Sequence, residues 1–200
     1  MTDTPIPVGR VLRASTREFA FGCRVLQPDI PAFGSFVRAD ARTPGDAIYG
    51  LIYDVVVQDD LFVRRFVVVE PPEEVVRDQR DNRQVPIEVS VLSVGYREGG
   101  RIVHRIPPQP PVTMDHLYPC PPDDIVAFTQ RFDYFRLILD APAIPTDHLL
   151  AASLWAAANA RPPSARESFL VDAGRALTHL LGGDLLRLDG VLQSIRPEQS

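Results

Sequence analysis

The side chains able to carry chemistry are few and scattered along the 200 residues. Four histidines, His104, His116, His148 and His179, and the acids Asp133, Asp140 and Asp147, spaced by seven, are the raw material for acid–base work. Pro142 and Pro145 interrupt that acidic stripe, and His148 and His179 lie in leucine-rich helical stretches, where a lone histidine is more often structural than catalytic. His116 and Cys120 fit no zinc spacing and have no second pair nearby. Cys23 and Cys120 lie far apart, which argues against a dense disulfide framework. All 21 basic residues are arginine, so a Walker A loop, a Schiff-base enzyme and a lysine nucleophile each lack the residue they require. No Gly-x-Ser-x-Gly, His-Glu-x-x-His or Gly-x-Gly-x-x-Gly pattern occurs. The sequence therefore points to no catalytic residue, no metal site and no cofactor.

Arginine spacing is the more informative pattern. Arg77, Arg80 and Arg83 recur every third residue, so on a helix they form one flank. The planar guanidinium fork suits phosphate oxygens, and such a ridge could read a phosphate backbone or enter a partner's nucleotide site. Interleaved acids oppose this and support a solvated excursion laced by pairs such as Glu73 with Arg77. Arg97, Arg101 and Arg105 flank a second candidate surface, with Tyr49, Tyr53 and Tyr96 as possible stacking partners for single strands. The net charge of −5 gives no bulk electrostatic attraction to nucleic acid. Up to Cys120 there are 14 arginines against 16 acids, and 7 against 10 follow, so neither half is basic.

The elements that must position these residues are legible in outline. Ile6 to Ala14 and Arg17 to Val25 alternate as strands, the second with Phe19, Phe21, Cys23 and Val25 on one apolar face, which makes Cys23 a buried structural thiol. Gln27 to Gly34 is a loop and Ser35 to Asp40 a short strand. Ile48 to Val57 is strand-like throughout, its exceptions being Gly50, where a strand can bend, and Asp54. Leu61 to Glu70, carrying Arg64 and Arg65, reads as its hairpin partner. Pro71 and Pro72 can open a short helix with Glu73 and Glu74 in its first turn. Pro86 to Tyr96 and Arg101 to Ile106 form another hairpin across Glu98-Gly99-Gly100. So many short strands are best accommodated by a small β-barrel of about six or seven strands, since closure removes exposed edges.

Pro107 to Pro111 reads as a polyproline spacer, and Val112 to Pro122 as irregular chain. The period then becomes helical. Ile125, Phe128, Phe132, Phe135 and Leu139 mark one helix, and Thr146 or Asp147 caps a second that carries Trp155 as a packing anchor. Ser164 with Glu167 forms a capping box for a third helix ending at Gly182 and Gly183, and Asp184 caps a fourth, Leu185 to Ile195. The fold class is thus α+β: a barrel over residues 1–106, a proline-rich linker over 107–121 and a bundle of about four short helices over 122–200. Mean hydropathy is −0.04, no apolar run has transmembrane length, and Met1 to Val8 lacks the pattern of a signal peptide; a cytoplasmic location with no membrane contact is expected.

Gly9-Arg10-Val11-Leu12, Gly34 ahead of Phe36-Val37, and Tyr49-Gly50-Leu51-Ile52 resemble the HAS barrel, the small β-domain at the N-terminus of HerA-type DNA-translocating ATPases and of ATP synthase α and β subunits. Arg77-Asp78-Gln79-Arg80 and Val94-Gly95-Tyr96, followed by the proline run, resemble stand-alone bacterial HAS-barrel proteins. The resemblance covers roughly residues 6–106 and makes Gly9, Tyr49, Gly50, Gly95 and Tyr96 structural positions. It departs from the ATPases where a helical bundle replaces the P-loop domain. The resemblance implies a non-catalytic assembly or adaptor protein, self-associating through the barrel or docking on a DNA-processing ATPase. The alternative is a nucleic-acid binder using Arg77, Arg80, Arg83, Arg101 and Arg105.

Overall fold

A computed structural model describes residues 6–25, 31–57, 72–74 and 85–195. Among the described residues seven strands, β1 (Gly9–Ala14), β2 (Glu18–Val25), β3 (Phe36–Asp40), β4 (Ala47–Val57), β5 (Val85–Glu98), β6 (Arg101–Val103) and β7 (His116–Pro119), are followed by five helices. These are α1 (Pro122–Phe128), α2 (Phe135–Leu139), α3 (Thr146–Asn159), α4 (Pro163–Leu181) and α5 (Leu185–Ser194). Every strand pairing is antiparallel, and the order β2-β1-β7-β3-β4-β5 closes on itself through β2–β5, giving a six-stranded barrel. The seventh strand, β6, stands outside the ring. One edge of β5 pairs with β2 from Val85 to Leu92 and then with β6 from Tyr96 to Glu98. Irregular register at Tyr49/Gly50 and Ile52/Asp54 bends β4, the local device by which long strands wrap a barrel.

The strand over Ala47–Val57 is apolar on both faces because it serves two cores. Ile48 and Ile52 fill the barrel with Phe19, Phe21, Val37, Ala39, Ile87, Val89, Val91 and Leu117. Tyr49 and Leu51 face outward and, with Phe36, Leu92 and Val94, lie under the helices, where Phe128, Tyr134, Phe135, Ile138, Leu150 and Leu154 cover them. Gly95 on the same wall makes room for this packing. A Cβ there would stand 2.7 Å from the Val103 carbonyl oxygen and 2.9 Å from the Phe128 ring.

Four details differ from expectation. The stretch from Val112 to Pro122 is not irregular throughout, since it contains β7, which closes the barrel between β1 and β3. Within the proline run, Pro107 and Pro111 are buried, so it lies against the protein as a packed segment. The helix expected through Ile125 and Leu139 is two helices, α1 and α2, interrupted where the Thr129 hydroxyl donates back to the Ile125 carbonyl at 2.6 Å and Arg161 Nη2 donates to the same hydroxyl at 2.8 Å. Neither Thr146 nor Ser164 caps its helix: the N-cap residues are Pro145 and Pro162, without a side-chain cap bond. Thr146 and Asp147 instead accept from Arg187 of α5, at 2.8 Å each. Asp184 does cap α5, accepting from the Arg187 amide at 3.1 Å.

The predicted partner strand over Leu61–Glu70 and the Arg77, Arg80, Arg83 ridge lie outside the described residues; Glu73 and Glu74 are helical. Among the described residues no helix is long and apolar enough to cross a membrane.

Candidate binding cleft

The β5–β6 hairpin turns through Gly99 and Gly100, both at positive φ (54° and 80°), a backbone that other residues rarely adopt. The turn is anchored to the β3–β4 connection, where the Gly99 amide donates to Asp46 Oδ1 at 2.9 Å and Arg97 Nε to the Gly45 carbonyl at 3.2 Å. Asp124, in the first turn of α1, accepts from Arg38 of β3 at 2.7 Å and from Arg97 of β5 at 3.4 Å. That half-buried triad ties α1 to two strands and fixes the helix against the hairpin. Tyr49 lies beneath it, fully buried, its hydroxyl pushed up to about 12 first by burial and then by the Asp124 charge.

Between the hairpin and the end of α1 opens a cleft of about 780 Å³. Arg101 and Arg105, singled out from spacing, both line it, and they are joined by Arg131 from the α1–α2 connection and by His104. Arg131 is held at 2.6 Å by Asp133. Arg101 and Arg105 are exposed and have no ion pair among the described residues, although Glu98, directly across the hairpin from Arg101, lines the same cleft. The cleft thus offers three guanidinium groups to two carboxylates, of which one is engaged.

His104 forms the inner wall. Its side chain is only 6% exposed, its ring lies 4.6 Å from that of Phe128 and 5.4 Å from that of Tyr134, and Nε2 is 2.9 Å from the Phe128 carbonyl oxygen. A carbonyl accepts only, so Nε2 carries the proton and Nδ1 is left bare, 3.9 Å from Asp133. Burial lowers the His104 pKa below the usual 6.5, outweighing the carbonyl and the Asp133 carboxylate, which raise it. Below pH 6.5 the unfolded chain therefore takes up a proton that the folded ring resists, and stability falls as pH drops through that value. The wild-type melting temperature should decline between pH 7.5 and 5.5, and His104→Gln, which keeps a donor but does not titrate, should flatten that slope; an unchanged slope counts against the assignment.

The other sequence-marked residues are dispersed. His148 and His179 are exposed on α3 and α4, and His116 lies in β7. Asp133, Asp140 and Asp147 occupy three different segments and form no stripe. Tyr49 is too buried to stack on a base, and the Tyr53 hydroxyl donates to Glu18 at 3.0 Å. Cys23 sits half-buried beside the barrel core, where burial raises its pKa, and Cys120 is buried with its pKa raised further. Arg131 and His104 are the additions to the sequence-derived site. Arg131 reaches the cleft from beyond the proline segment, so no local spacing announces it, whereas His104 adjoins Arg105 in sequence and only its inward placement is new. A comparison with protein-family models finds no match for the chain, and no curated protein matches it.

Proposed function

We propose that this chain is a non-catalytic interaction module, a HAS-type barrel carrying its own helical cap, that engages an acidic segment of a protein partner at the β5–β6 hairpin. The observation that carries this reading is the position of β6. It lies outside the closed ring, pairs on one side only with β5 among the described residues, and presents Arg101 and Arg105 beside that edge. A strand edge with adjacent cations is suited to accept an extended acidic segment, main chain to main chain, with the arginines selecting its charge. The HAS resemblance favours a DNA-processing ATPase or a second copy of the chain as the partner. Light scattering after size exclusion, and affinity capture from the native host, test it. Wild type should self-associate or retain a partner, and Arg101→Glu with Arg105→Glu should reduce retention at least tenfold; a monomer that retains nothing would overturn the proposal.

The second reading, contact with a nucleic-acid backbone, is favoured by the convergence of Arg101, Arg105 and Arg131 in one cleft. Its test is a gel shift with single- and double-stranded DNA across a salt series, repeated with Arg101, Arg105 and Arg131 changed to Ala. No shift at low salt rejects it.

A further inference from the structure

We infer that the cleft between the β5–β6 hairpin and α1 is a binding site for a phosphate-bearing ligand of about nucleotide size, with Arg101 and Arg105 as the phosphate contacts. Three independent features converge on this. The first is the cation arrangement: Arg101 on β6 and Arg105 just beyond it are free of ion pairs among the described residues, whereas Arg131, on the opposite wall, is held in place by Asp133. Unpaired guanidinium forks lining one cleft suit the oxygens of a tetrahedral oxyanion.

The second feature is the inner wall. The His104 side chain is only 6% exposed, and its Nδ1, 3.9 Å from Asp133 Oδ2, makes no hydrogen bond among the described residues. With Nε2 donating to the Phe128 carbonyl, Nδ1 of the neutral ring is an acceptor that a ligand hydroxyl or N–H can use. The third feature is size. About 780 Å³ falls within the range of small-molecule sites and exceeds what inorganic phosphate fills, which leaves room for an organic body beyond the anion. Tyr96, Ile102 and Val103 supply apolar and aromatic surface for that body.

This inference does not depend on a protein partner. The phosphate could be the monoester of a free nucleotide or the diester of a nucleic-acid strand, and the experiment separates the two. The full chain is titrated at low salt with inorganic phosphate, adenosine, adenosine 5′-monophosphate and a single-stranded oligonucleotide, followed by calorimetry and by the His104 ring proton signals. Either phosphate-bearing organic probe should bind at least tenfold more tightly than adenosine or inorganic phosphate and shift the His104 signals. Tighter binding of the monophosphate marks a nucleotide site, and tighter binding of the oligonucleotide a strand site. Arg101→Ala with Arg105→Ala, two exposed positions whose replacement should leave the melting curve unchanged, should lower the affinity at least tenfold. Absence of binding by both organic phosphates at millimolar concentration, or affinity unchanged in the double variant, would overturn the site. Partner capture can fail or succeed without altering these titrations, so the two proposals are judged separately.

Discussion

Gly50→Val should abolish the cooperative unfolding transition of the whole protein. Gly50 sits where β4 shifts register against β5, pairing with Ser93. A Cβ built there lies 2.3 Å from Val91 Cγ1, and 3.1 Å from both the Leu92 carbonyl oxygen and the Phe19 ring. Val91 and Phe19 are themselves core residues, 0% and 3% exposed, so neither has solvent to move into. Inserting even one methyl into a close-packed interior costs about 1–3 kcal/mol, and valine adds two more carbons in the same space. Against a total stability of about 5–15 kcal/mol, the larger substitution should leave too little to hold the barrel closed. The milder Gly50→Ala provides the control for mechanism. If the clash with Val91 is the cause, Val91→Ala should recover part of the loss in the Gly50→Ala background while costing stability on its own, and chemical denaturation of the four-member cycle should show coupling of about 1 kcal/mol or more. A Gly50→Val protein that melts like wild type would mean that β4 does not pass through the interior at this point.

The strand at Ala47–Val57 was readable because its signal is local. β-Branched and aromatic residues run almost without break, and the two cores it separates explain why no alternation is visible. The alternating faces of β2 and β5 were readable for the complementary reason that one face of each lines the barrel. What local pattern could not show was β7. Its four residues, His-Leu-Tyr-Pro, carry little intrinsic signal, and they are a strand only because β1 and β3 lie open on either side. The caps failed similarly. Thr146 and Asp147 have the chemistry to cap α3, but Arg187 offers them charge-assisted bonds, and a Pro at the N-cap leaves no side-chain cap there. In the cleft, the arginines on the hairpin could be paired by spacing. Arg131 joins them only through the fold, and His104, next to Arg105 in sequence, is set in the inner wall by Phe128, whose carbonyl holds it and whose ring fills the space left by Gly95.

The role of β7 leads to the second large effect, which concerns how much chain the barrel needs. A fragment ending at Ile106 contains six of the seven described strands but should not fold. β7 joins β1 through Gly9↔Leu117 and Arg10↔His116, and β3 through Val37↔Pro119, Arg38↔Tyr118 and Ala39↔Leu117. Without it both neighbours keep a bare edge, which invites intermolecular pairing. Leu117, 0% exposed, is also lost from the barrel interior, a deletion comparable to Leu→Ala at about 2–5 kcal/mol before any strand bonds are considered. A fragment ending at Pro121 restores the ring and isolates the second requirement. Phe36, Tyr49, Leu51, Leu92 and Val94 would then face water, because the side chains that cover them come from α1 to α3. This longer fragment should acquire β-rich circular dichroism yet bind a hydrophobic dye and associate, whereas the full chain should show one sharp transition by both circular dichroism and fluorescence. If the fragment ending at Ile106 unfolds cooperatively as a monomer, β7 is an accessory strand and the barrel closes by another pairing. If the Pro121 fragment alone does so, the helices cap a barrel that stands without them. The expected series, from unfolded to sticky to cooperative, instead makes the segment after the prolines the closing stave of the barrel and the helices the cover of its outer wall.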